Sequence, residues 1–399
     1  MRRFDENQTL DHLAENNRID DALADALGRA VAAAHRIAPT VTNANFDQAL
    51  DDIITQNEAE LAAEPDLFLL PELRALATAT HTAFERVRPL LVARERAGLV
   101  RRCHGDLHLG NIVLIDGKPV LFDAIEFDDR IATGDVLYDL AFLLMDLIER
   151  GLSAAANIVL NRYLTETRRI HDLDALAALP LFMSVRAAIR AKVTAARRRQ
   201  GVTNDETLRS ARDYASLAQR LLAPAKPRLI AIGGLSGTGK SLLARALATD
   251  VPPLPGAVVL RSDVERKALF EAGETEQLPQ EAYSGDVTRK VYAALVEKAR
   301  RVVAAGHSAI VDAVFAQPDE RAAIEKATGA QFDGIFLTAD LETRLARVGG
   351  RTGDASDADA SIARQQEQID VGRVKWSRVD ASGTPEVTLT RARGMFGLE

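Results

Sequence analysis

Two stretches of this chain place residues at spacings suited to handling phosphate. GLSGTGKS, residues 234–241, follows an apolar run, RLIAI (228–232), and leads into SLLARALA (241–248). Gly234, Gly237 and Gly239 allow a tight turn in which consecutive N–H groups, through Ser236 and Thr238, face phosphate oxygens. Lys240 can reach the β- and γ-phosphates, Ser241 offers a hydroxyl to Mg2+, and the helix that begins there adds its positive end. With a strand before the loop and a helix after it, the pattern predicts binding of ATP with Mg2+.

Downstream residues could complete a phosphotransfer site. Asp263 closes an apolar run in RSDVERK, and Arg266 follows one helical turn later. The pair suits a carboxylate that takes a proton from an acceptor hydroxyl and an arginine that holds the acceptor's own charge. A capping aspartate and a solvated arginine would leave the same trace. Asp312 ends SAIVDAVF, as a Mg2+-assisting carboxylate or a cap would. DLETRLARVGGRTGDASDAD (340–359) brings Arg344, Arg347 and Arg351. Mobile arginines over the phosphates exclude water and neutralise charge; a surface loop, with Arg344 on a solvated helix face, is the other reading.

The second stretch is HGDLHLGN, residues 104–111. Its H-x-D-x-x-x-x-N spacing suits Asp106 as the residue orienting an acceptor hydroxyl and Asn111 as a Mg2+ ligand, with His104 propping the loop. Asp123, ending VLFDAIEF, would be the second metal-binding carboxylate. Yet residues 1–100 show no glycine-rich strand–turn–strand, and the first lysine is Lys118, beyond the loop. The chain as given therefore has no complete ATP clamp in front of Asp106, because the start is displaced or the form is a short one. The functional expectation rests on GLSGTGKS.

Periodicity indicates which elements must hold these groups. Apolar residues recur at helical spacing over 19–37, 46–62 and 70–98, with Asp20 and Asp21 at the start of the first. IVLI–DGK–PVLF (112–122) reads as a hairpin. Helices resume in DVLYDLAFLLMDLIERG, where Gly151 is a C-cap, and continue through 155–170, 174–199 and 205–222. Arg197–Arg199 complement the negative end of one of these helices or, in the other reading, form an anion site. LLAPAKPRL (221–229) is a linker. Beyond it strands at 228–232, 257–262, 308–311 and 334–337 alternate with helices, which predicts a parallel sheet with ligands at the strands' carboxyl ends. The expected class is α/β: a mainly helical region with a short hairpin over 1–222, a linker at 223–227 and a three-layer phosphate-loop domain over 228–399.

The chain has 399 residues, 47% hydrophobic and 27% charged, a net charge of −7 and a single cysteine, Cys103. Intrachain disulfides are excluded, no secretory leader is visible, and a cytoplasmic setting with no membrane partner follows. The acidic balance and 5% aromatic content argue against a nucleic-acid groove. Oligomeric state is not readable.

On these motifs, residues 228–395 resemble the small P-loop kinases that include gluconate kinase, chloramphenicol phosphotransferase, zeta-toxin-like kinases and the kinase half of polynucleotide kinases. HGDLHLGN with Asn111 and Asp123 resembles the aminoglycoside phosphotransferases and choline-kinase-like enzymes. EFDDRIATGDVLYDLAFLLMDL (126–147) and VRAAIRAKV (185–193) extend the likeness to a bacterial two-domain family described as bifunctional aminoglycoside phosphotransferase/ATP-binding proteins. In that family Met1–Phe4 is similar to the hinge into the helical lobe. The resemblance implies an ATP-dependent phosphotransferase acting on a small-molecule hydroxyl, with Asp263, Arg266, Arg347 and Arg351 in the catalytic roles. A nucleotide-hydrolysing switch with a non-catalytic front lobe is the alternative.

Overall fold

Helical periodicity governs the first two hundred residues and β/α alternation the rest. The computed structural model describes residues 5–199, 205–350 and 355–398. Met1–Phe4, Arg351 and the side chains of Arg198 and Arg199 lie outside the described residues. The chain divides into two compact units, Met1–Pro224 and Ala225–Glu399.

The first unit begins with α1 (Leu10–Glu15), α2 (Asp21–Ile37), α3 (Phe46–Ala62) and α4 (Leu70–Arg96). Asp20 caps α2 by accepting the N–H of Leu23. After β1 (Val100–Arg102), β2 (Ile112–Ile115) and β3 (Lys118–Leu121) form the expected hairpin, in register Ile112 to Leu121. Asp116 and Gly117 turn it with φ of 52° and 73°, the left-handed pair that a two-residue turn requires. Next come α5 (Asp129–Ala132), β4 (Thr133–Asp135) and α6 (Val136–Glu149). The unit closes with α7 (Ser153–Thr167), α8 (Ile170–Asp174), α9 (Leu179–Arg199) and α10 (Asp205–Leu221).

The β1/β4 ribbon is antiparallel and was not expected; VRR and TGD are too short and too polar to show a period of two. The helix expected to run unbroken from 174 is interrupted by a 3-10 turn, Ala175–Ala177, before α9. Gly151, at φ 76°, lets the N–H of Leu152 close onto the carbonyl of Leu147 and ends α6. Arg94 donates to both oxygens of Asp135 (2.6 and 2.8 Å) and to Asp172 (3.2 Å), all three fully buried. Losing one partner would strand a buried charge, at about 3–5 kcal/mol.

The second unit contains β5 (Arg228–Gly234), α11 (Lys240–Ala248), β6 (Val258–Arg261), α12 (Ser262–Leu269), α13 (Gly285–Ala304) and β7 (Ala309–Asp312). It continues with α14 (Pro318–Glu325), β8 (Gln331–Thr338), α15 (Leu341–Gly349), α16 (Ala360–Gln365), β9 (Ser377–Asp380) and α17 (Pro385–Phe396). The five strands are all parallel, in the order β6-β7-β5-β8-β9. Ile230, Ile232, Ile310, Ile335 and Leu337 from three central strands pack on Leu243 and Leu247 of α11. Strand β9 escaped sequence reading because SRVD buries only Val379. Among the described residues no helix is long and apolar enough to cross a membrane.

His307, buried beside β7, donates from Nε2 to the carbonyl of Gly256 (2.8 Å). Burial pulls its pKa from 6.5 down to about 4, with the Gly256 bond opposing. The folded state thus excludes a proton that the unfolded chain binds. The stability this contributes is complete above about pH 6.5 and is lost as the pH falls towards 4, by up to about 3 kcal/mol. Denaturant melts across that window should show the loss in the wild type and a flatter profile in His307→Gln.

Candidate active site

The rim of the parallel sheet gathers most of the groups expected to act together. Register places Ile232 of β5 beside Asp312 at the end of β7. Gly234 through Gly239 leave the tip of β5, and α11 starts at Lys240. Gly237 (φ 87°) backs onto Arg344, whose carbonyl would lie 2.7 Å from a Cβ at that position. Gly239 (φ 91°) has no atom within 4 Å of the corresponding point. One glycine is therefore required by the protein's own packing, whereas the other lies on an open side where a phosphate fits. The first-turn N–H groups of α11 have no acceptor within the helix.

Ser241 donates from Oγ to Asp312 Oδ2 (2.5 Å). A hydroxyl and a buried carboxylate in contact are the oxygen donors that suit Mg2+. Arg261, at the end of β6, donates to both: Nη2 to Ser241 Oγ (3.2 Å) and Nε to Asp312 Oδ2 (3.4 Å). Sequence reading passed over Arg261. Lys240 donates from Nζ to the carbonyl of Leu235 (3.2 Å), inside the loop it serves.

The acceptor-side pair needs correction in detail. Asp263 does not close the strand, which ends at Arg261; it lies in the first turn of α12, and the N-cap is Arg261. Both parts of the capping reading fall: Asp263 is not the cap, and Arg266 is buried rather than solvated. Burial raises the pKa of Asp263, Asp312 raises it further, and Arg261, Lys240 and a bond with Ser356 oppose. Arg266 donates from Nη1 to the carbonyl of Ala282 (2.6 Å) and stacks 4.9 Å over the ring of Tyr283.

The arginines of 340–359 divide in an unexpected way. Arg344 is not on a solvated face: it is 1% exposed and donates from Nε to the carbonyl of Ser236 (2.9 Å) and from Nη2 to that of Ala363 (3.1 Å). It also pairs with Glu367. Arg347 donates to the carbonyl of Gly383 (2.7 Å), and the structure does not bring it to the loop. Gln366, absent from the sequence reading, accepts the N–H of Ser236 at Oε1 (2.7 Å).

In the first unit HGDLHLGN is also fully built. Asp139 of α6, 2% exposed, accepts the N–H groups of Gly105 (2.9 Å) and His104 (3.3 Å) and pairs with His35 (3.0 Å). Asp146, two turns on, accepts the N–H of Leu109 (2.9 Å). Asn111 donates from Nδ2 to Asp106 Oδ2 (3.0 Å), and His104 donates from Nε2 to the carbonyl of Phe122 (2.8 Å). His108, whose Nδ1 accepts the N–H of Gly110, places its Nε2 3.4 Å from Asp106. Burial opposes ionisation of Asp106, but His108 and Asn111 hold its pKa below the ordinary value. Phe122 N–H bonds the carbonyl of Asn111, so Asp123 follows directly at the hairpin base, exposed and at φ 58°. Among the described residues before Val100 the regular elements are all helical.

Comparison with known proteins matches both halves. Residues 2–179 fit the model of the phosphotransferase enzyme family, and residues 229–371 fit that of the AAA domain. The chain thus joins a region similar to the phosphotransferase enzyme family to a region similar to the AAA domain. Uncharacterized proteins of Mycobacterium tuberculosis and Mycobacterium bovis are 32% identical over 314 residues, 76% of this chain and 60% of theirs. The chain thus spans about three-fifths of the length of these relatives. Among solved structures, a gluconokinase from Sinorhizobium meliloti is 19% identical with a TM-score of 0.33, covering 43% of this chain and 92% of that one. A tunicamycin resistance protein of Deinococcus radiodurans gives 19% and 0.32, with coverage of 44% and 98%. At those TM-scores the likenesses carry nothing about function.

Gly237→Ala and Gly239→Ala both force a side chain into the left-handed region, at about 1–2 kcal/mol each. Only the first also drives a methyl into Arg344. Thermal unfolding should show a clearly larger loss for Gly237→Ala; equal losses would contradict the packing described here.

Proposed function

We propose that the chain is an ATP-dependent small-molecule phosphotransferase whose working site is the P-loop unit. The observation that carries this reading is the position of Asp263. It lies in the first turn of α12, whose N-cap Arg261 bonds both Ser241 and Asp312, so a half-buried carboxylate sits beside the charges of the P-loop rim. The amides of Gly237–Ser241 and the Lys240 ammonium would hold the phosphates, and Ser241 and Asp312 would hold Mg2+, which supplies neutralising charge to the β- and γ-oxygens. Asp263 orients the acceptor hydroxyl and takes its proton as the oxygen bonds to the γ-phosphorus; the β–γ bridging oxygen leaves with ADP. Arg261 steadies the developing charge from behind Ser241. The front unit keeps an ordered Asp106–Asn111 pair.

ATP consumption should be screened against sugars, aminoglycosides, small alcohols and oligonucleotide 5′ ends. With the acceptor found, Asp263→Asn should lower turnover by about 10²–10⁴-fold while sparing nucleotide affinity. Because the base form is required and the pKa of Asp263 is raised, activity should fall with acidification at a pH above the ordinary aspartate range, a limb missing from Asp263→Asn. Asp106→Asn should leave turnover unchanged; a large loss would transfer the chemistry to the front unit.

A further inference from the structure

Residues 355–367 run between the two ends of the P-loop site and are bonded to both. At one end Gln366 Oε1 accepts the N–H of Ser236 (2.7 Å), while Arg344, which holds the Ser236 carbonyl, also takes Ala363 and Glu367. At the other end Asp357 gathers three donors from the segment that follows Asp263. Its Oδ1 accepts Lys267 Nζ (3.0 Å); its Oδ2 accepts Tyr283 Oη (2.5 Å) and the N–H of Leu278 (3.1 Å). Lys267 is 2% exposed and also donates to the carbonyl of Glu274 (2.7 Å). The segment 270–284 has little core of its own, Ala272, Leu278 and Ala282. Buried polar bonds therefore fix it more than apolar packing does.

We infer that Asp357 is a positioning residue that couples nucleotide binding at the P-loop to the ordering of the acceptor-side segment 270–284. The physical link is short. A phosphate seated on the amides of Gly237–Ser241 bears on the loop that Gln366 and Arg344 hold at Ser236, and any displacement of 355–367 bears on the carboxylate that holds Lys267, Leu278 and Tyr283. Arg266 stacks on Tyr283, so the same carboxylate sets where the arginine beside Asp263 lies. This rests on the P-loop unit being the nucleotide site.

The test is hydrogen exchange on the full chain with and without Mg2+ and a non-hydrolysable ATP analogue, binding being followed by calorimetry on the same samples. In the wild type the analogue should slow exchange in both 355–367 and 270–284. In Asp357→Ala it should still bind and protect 355–367, while the protection of 270–284 falls at least about fivefold, the lower end of ordinary coupling between sites. Tyr283→Phe, at a half-exposed position that the fold tolerates, should give a partial loss and decides the matter if Asp357→Ala does not fold. Binding without protection of 270–284 in the wild type, or full protection in the variants, overturns the inference. Calorimetry that shows no binding to the wild type overturns the P-loop assignment and the inference with it.

Discussion

A loop that binds through its backbone must be held by something other than the groups it offers. In the P-loop unit the holding side chain is a buried cation: Arg344 takes the carbonyl of Ser236 and packs its backbone against Gly237. In the front unit the holding side chains are buried anions. Asp139 and Asp146 accept the N–H groups of His104, Gly105 and Leu109 and leave the side chains of Asp106 and Asn111 bonded to each other. The sign of the buried anchor decides which backbone atoms remain for a ligand.

The same logic sets the electrostatics of the sheet rim. Parallel strands deliver Arg261 and Asp312 side by side, and α11 brings Ser241 onto both. Asp263, one turn into α12, is close enough for Asp312 to oppose its ionisation and for Arg261 and Lys240 to favour it.

Much of this was legible in the residues themselves. The helices at 21–37 and 46–62, the DG hairpin, the Gly151 cap and the strand–loop–helix around Lys240 follow from spacing and turn chemistry. Other features were not legible, each for a physical reason. SRVD becomes a strand only because β8 offers an edge to pair with, and VRR and TGD make a ribbon only with each other. Arg344 looked solvated because a charged side chain on a helix usually is; here the carbonyls of Ser236 and Ala363 with Glu367 compensate its burial. Arg261, Gln366 and Asp357 belong to no short motif, and only the fold brings them to the loop and to α12. Asp139 and Asp146 sit seven apart on α6, a one-face spacing that could have flagged two buried carboxylates.

The central claim is that GLSGTGKS is the nucleotide site. Isothermal titration of Mg·ATP into the wild type and Lys240→Ala tests it most directly. One binding site in the wild type that is lost in Lys240→Ala is the predicted result; binding of equal affinity and stoichiometry in the variant would contradict it.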